Sequence, residues 1–129
     1  MAAASNIEFA FMKFVVHDLK AMTAFYGCLL DLRVVRTIDA GTATEVVLRP
    51  AGNTQGFCLV LYKPTDEIEA VIGNRYGPLG IYVESADSAF AHAIAQGAVA
   101  QRSPFDVPGL RVAFVQDPEG REIEFLERL

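Results

Sequence analysis

The chain has 129 residues, 52% of them hydrophobic and 21% charged, the composition of an ordinary globular protein long enough to bury one core. Its formal net charge of −5, with no run of lysine or arginine, excludes a phosphate-tracking surface and so a nucleic-acid partner. No apolar stretch approaches the roughly 18 residues of a membrane-spanning helix, and no basic segment leads into an apolar run, so neither a membrane partner nor a signal peptide is read. Cys28 and Cys58 lie inside apolar runs as reduced, packed thiols do, and the expected compartment is the cytoplasm.

From Glu8 to Val16, "EFAFMKFVV" is aromatic and β-branched and reads as a strand, with Phe11, Lys13 and Val15 on one face and Met12, Phe14 and Val16 on the other. Asp18 then caps a helix whose apolar positions, Leu19, Met22, Phe25, Tyr26 and Leu29, recur at helical spacing. Strands follow at Arg33–Ile38, Thr44–Arg49 and "FCLVLY", the last ended by Pro64. The polar segment 65–76 reads as a short helix or a linker. The order then restarts. "GPLGIYVE" is a strand, and Ser85 or Asp87 caps a helix with Phe90 and Ile94 on its buried stripe, ended by Gly97. "VAQRSPF" is an edge strand, "LRVAFVQ" another strand, and "REIEFLER" the last, after the turn "DPEG".

This is an internal repeat. "VVHDLKAMTAFY" matches "YVESADSAFAHA", "VVLRPAG" matches "AFVQDPEG", and "FCLVLY" matches "REIEFL". The expected fold class is therefore α+β. A single domain, 1–129, contains two tandem βαβββ modules at about 8–64 and 77–129. Their half-barrel sheets pair around a concave cleft, where a small organic ligand could bind.

The segments "FVVHDLKAMTAFYGCLLDLRVV" and "VAFVQDPEGREIEFLE" resemble the vicinal oxygen chelate superfamily, which includes glyoxalase I, bleomycin-resistance proteins, extradiol dioxygenases and methylmalonyl-CoA epimerase. The resemblance covers nearly the whole chain and implies the paired-module fold, and often a homodimer. In metal-dependent relatives, His, Glu, His and Glu on four strands hold a divalent ion. Matched by the resemblance, those positions are Phe11, Val60, Pro78 and Glu124. Three carbon side chains offer a metal no lone pair, so no metal and no other cofactor is expected.

Alternation sends Ile123 and Phe125 to the helix side and Glu124 to the opposite face. Glu124 either binds a cationic or hydroxyl group of a ligand, or acts as a base, or is solvated or held by an internal partner. Glu122, nearer the turn, reads as solvated. Lys13 shares the face of Phe11. It either pairs with Glu124 or orients an anionic or carbonyl ligand as an electrophile. Phe11, Val60, Tyr62, Pro78 and Tyr82 complete the candidate binding set, an apolar lining with tyrosine hydroxyls as anchors, or equally a packed filling. His17 and His92 read as exposed. Arg111 reads as a surface residue that could reach a ligand carboxylate. There is no G-x-S-x-G elbow and no Gly-rich phosphate loop. The expected function is binding of an apolar or aromatic molecule without a metal. The alternative is a metal-independent isomerase, epimerase or lyase with Glu124 as the base beside a carbonyl.

Overall fold

The structure, a computed structural model, describes residues 8–53, 56–66 and 70–129. The chain divides between Ala70 and Val71 into two compact units, inside the segment 65–76. Of that segment, residues 70–76 are neither helix nor strand, and 67–69 lie outside the described residues.

In the first unit, β1 (Phe11–Val15) leads into α1 (Leu19–Leu29). Asp18 is extended, and its carboxylate accepts the Ala21 N–H at 2.9 Å, satisfying one of the donors a helix start leaves open. Met22, Phe25 and Tyr26 are the buried positions of α1. The Tyr26 ring meets Phe25 edge-on at 5.0 Å and Phe14 of β1 at 5.7 Å, which fastens the helix to its sheet. Asp31 then takes a positive φ of 52°, a left-handed backbone that glycine adopts more cheaply, and turns the chain into β2 (Leu32–Asp39). Next come β3 (Ala43–Pro50) and β4 (Cys58–Pro64), and the sheet order is β1-β4-β3-β2. β1 and β4 run parallel, as a helical crossover requires, and the other pairs are antiparallel. Leu48, Leu59 and Leu61, alternating along β3 and β4, form the buried floor under α1.

The second unit repeats the plan with β5 (Leu79–Tyr82), α2 (Ala86–Ala95), β6 (Val99–Val107), β7 (Leu110–Gln116) and β8 (Glu122–Arg128), in sheet order β5-β8-β7-β6. Ser85 is the cap, its hydroxyl accepting the Ser88 N–H at 3.1 Å; the Glu127 carboxylate accepts the Ala86 N–H at 2.7 Å. The buried positions of α2 are Ala86 and Ala93, and Ile94, expected on the buried stripe, is 39% exposed. One residue past Ala93 is a turn of about 100° around the helix, enough to carry Ile94 off the packed face. Gly97, at φ 105°, supplies the left-handed residue that ends the helix.

The α+β plan of tandem βαβββ modules is thus what the sequence pattern predicts. β1 and β5 are shorter than the expected strands 8–16 and 77–84. The internal repeat holds residue by residue. Val16 N–H donates to Tyr62 O at 2.8 Å, and Val83 N–H to Leu126 O at 2.9 Å, so Val60 stands in the first sheet where Glu124 stands in the second.

Candidate functional site

Each sheet has one face packed under its own helix and one helix-free face, and alternation decides which residues share the latter. In the first unit, Phe11 and Lys13 of β1 and Val60 and Tyr62 of β4 lie on the helix-free face, as expected. Lys13 and Val60 are direct partners in register. The Lys13 ammonium lies 5.4 Å from the Phe11 ring centre and 5.3 Å from that of Tyr62. Its carboxylate partner is Glu45 of β3, reaching diagonally across β4. The sequence alone offers Glu124 for that place. Glu45 escaped it because one strand in isolation does not reveal which β3 side chain stands beside β1. The pair is partly solvated, so it contributes little to stability, and it offsets the charge of the Lys13 ammonium.

In the second unit, Glu124 lies at the centre of a cross-strand row. It pairs in register with Gly80 of β5 on one side and Phe114 of β7 on the other, and Phe114 pairs with Arg102 of β6. Ile123 and Phe125 are fully buried on the helix side, which fixes Glu124 on the opposite face. The neighbouring Glu122 accepts a hydrogen bond from Gln101 at 2.7 Å, and so is engaged rather than merely solvated. Glu124 meets no hydrogen-bond or ion-pair partner among the described residues, and it is half-buried. Gly80 leaves the surface beside it low, since a β-carbon there would approach only Leu126, at 3.6 Å. On the other side, the Phe114 ring stacks with Phe105 at 6.4 Å, and the Arg102 guanidinium lies 3.9 Å from the centre of the Phe105 ring. Tyr82 shares this face and is covered by Arg128, 3.6 Å above its ring. Pro78 precedes β5 and is outside the sheet.

Arg102, Phe105 and Phe114 were missed in the sequence. "VAQRSPF" read only as an edge strand, and two register shifts in β6 hide its alternation. Arg111 lies on the helix side. It bonds Asp106 at 2.9 Å and Asp87 of α2 at 3.1 Å, and these two carboxylates hold its guanidinium pKa above the ordinary arginine value. His17 and His92 are exposed.

A model of the Glyoxalase/Bleomycin resistance protein/Dioxygenase superfamily matches residues 8–125, from before β1 into β8. The chain belongs to this superfamily. It is 28% identical to the lactoylglutathione lyase of Neisseria meningitidis serogroup A over 117 residues, 88% of this chain and 85% of that protein. Among solved structures, maize glyoxalase I aligns with a TM-score of 0.83 at 22% identity over 94% of this chain. The chain spans only 44% of the maize protein. The trypanothione-dependent glyoxalase I of Leishmania major aligns with a TM-score of 0.81 at 25% identity, covering 95% of this chain and 87% of that one.

At the four positions that the resemblance matches to the ligands of metal-dependent relatives, three side chains of this chain carry no donor atom. Phe11, Val60 and Pro78 present carbon, and Glu124 alone carries a donor atom. Among the described residues no three His, Cys, Asp or Glu side chains gather into a metal-binding group.

Proposed function

We propose that this glyoxalase-superfamily protein binds a small, partly apolar organic molecule on its helix-free sheet faces, without a divalent ion at the four family positions. The donor set supports this reading above all: one carboxylate, Glu124, against phenylalanine, valine and proline. Apolar contact supplies most of the affinity, about 25 cal/mol per Å² buried before the cost of association. On the first sheet Phe11 offers apolar contact and the Tyr62 hydroxyl a polar anchor; on the second, Phe114 offers the contact and Glu124 the anchor. The same reading takes the protein as a cytoplasmic homodimer, with Cys28 and Cys58 both outside disulfides.

A second reading is favoured by one observation. The Glu124 carboxylate has no protein partner among the described residues, so its lone pairs are available to take a proton from carbon beside a ligand carbonyl. Lys13, held by Glu45, is a poor electrophile for such a step, which leaves a tyrosine hydroxyl to stabilise the oxyanion.

Two measurements separate these readings. Elemental analysis of the purified protein should find divalent metal well below one equivalent; a full equivalent that disappears in Glu124→Gln would overturn the metal-free reading. Carbonyl compounds incubated with the protein in deuterated water should show no catalysed exchange, and Glu124→Gln should weaken ligand binding alone. If the parent catalyses exchange and Glu124→Gln loses it by roughly 100-fold or more while still binding, Glu124 is a catalytic base and the second reading replaces the first.

A further inference from the structure

The row through Glu124 has a second polar end. Arg102 occupies it, two strands away, which at about 4.8 Å per strand places the two backbones roughly 10 Å apart. Its guanidinium lies over the Phe105 ring, a cation–π contact that uses none of its N–H donors. No hydrogen bond or ion pair to Arg102 occurs among the described residues. Arg33, Arg111 and Arg121, in contrast, each have carboxylate partners. An arginine stacked on a ring with its donors unspent is held in shape to receive a planar anion, bidentately. Between Arg102 and Glu124 in the row stands Phe114, whose ring stacks with Phe105 to give an apolar floor.

We propose that the Arg102–Phe114–Glu124 row of the second module is an elongated subsite for an aromatic carboxylate. Arg102, backed by Phe105, receives the carboxylate, Phe114 receives the ring, and Glu124 accepts a hydrogen bond from a hydroxyl or amine at the far end. The assignment rests on the binding function proposed above and names its ligand class.

The internal repeat provides a built-in control. The matching row of the first module runs Lys13, Val60, Val47, Arg36, with an arginine beside the bulge in the same place. There, however, valines stand where Phe114 and Glu124 stand, so the row has no aromatic floor and no acceptor. Arg36 carries the same charge without the same site.

Calorimetric titration with 3-(4-hydroxyphenyl)propanoate, its primary amide, and 3-phenylpropanoate tests this. The hydroxyphenyl acid should bind roughly tenfold or more tightly than its amide, the difference a charge-assisted bond makes. Arg102→Met should abolish that preference and keep the preference for the hydroxyl, whereas Glu124→Gln should do the reverse. Arg36→Met, removing the same charge, should leave both preferences unchanged. Equal binding of acid and amide, no binding of any probe, or an equal loss in Arg36→Met overturns the subsite. If the neutral amide still binds well, the wider binding function stands without it, whereas an equivalent of metal bound at Glu124 would remove that function's basis instead.

Discussion

Replacing Asp117 by alanine is expected to cost about 3–5 kcal/mol of stability, read as a lowered urea midpoint, the usual penalty for breaking a buried ion pair from one side. Asp117 is 1% exposed, at the first position of the "DPEG" turn. Its carboxylate accepts the N–H groups of Glu119 at 2.8 Å and Arg121 at 3.0 Å, and pairs with the Arg121 guanidinium at 3.2 Å. The Gly120 N–H closes the turn on the Asp117 carbonyl at 2.9 Å. Alanine would orphan two backbone donors and leave Arg121, itself largely buried, with Glu119 as its carboxylate. Asn keeps the acceptor oxygen and loses the charge, so Asp117→Asn should cost less, about 1–2 kcal/mol. A loss below about 1 kcal/mol for alanine would show that the turn is not held this way. The consequence reaches the site, because this turn sets the register in which β8 brings Glu124 opposite Phe114.

The second large effect is expected at Tyr26. With 0% exposure and rings of Phe14 and Phe25 against it, Tyr26→Ala opens a cavity under α1 and should cost about 3–5 kcal/mol. Tyr26→Phe preserves the ring and its contacts and should cost far less. Thermal unfolding of both variants checks this, and equal losses would mean that the hydroxyl rather than the ring holds the helix. The first module's sheet is displayed by this packing, since Phe14 faces Tyr26 only when Phe11 and Lys13 face the other way.

Much of this was legible in the chain because it follows from local rules. The period-2 alternation around Phe14 and Phe125, the caps at Asp18 and Ser85 and the turn at Asp117 depend on neighbours a few residues away, and the repeat that equates Val60 with Glu124 is a likeness of two such local patterns. The absence of metal-donor atoms at Phe11, Val60 and Pro78 is a matter of side-chain chemistry, and the sequence states it outright.

What only the tertiary structure decided is partnership across strands. Lys13 takes the face that alternation predicts, yet its partner is Glu45, 32 residues along the chain and brought near by the β3–β4 pairing. In the sequence Arg111 reads as a surface residue that could reach a ligand carboxylate. Its register opposite Glu127 turns it instead to α2 and the carboxylates of Asp87 and Asp106. Arg102 and Phe105 gave no pattern at all, because the shifts in β6 break the alternation that makes a strand readable, and only pairing with β7 restores their side. Alternation selects one of two faces for each residue from the chain alone. Which residue of another strand lies across that face depends on register, and register is set by pairing between distant segments.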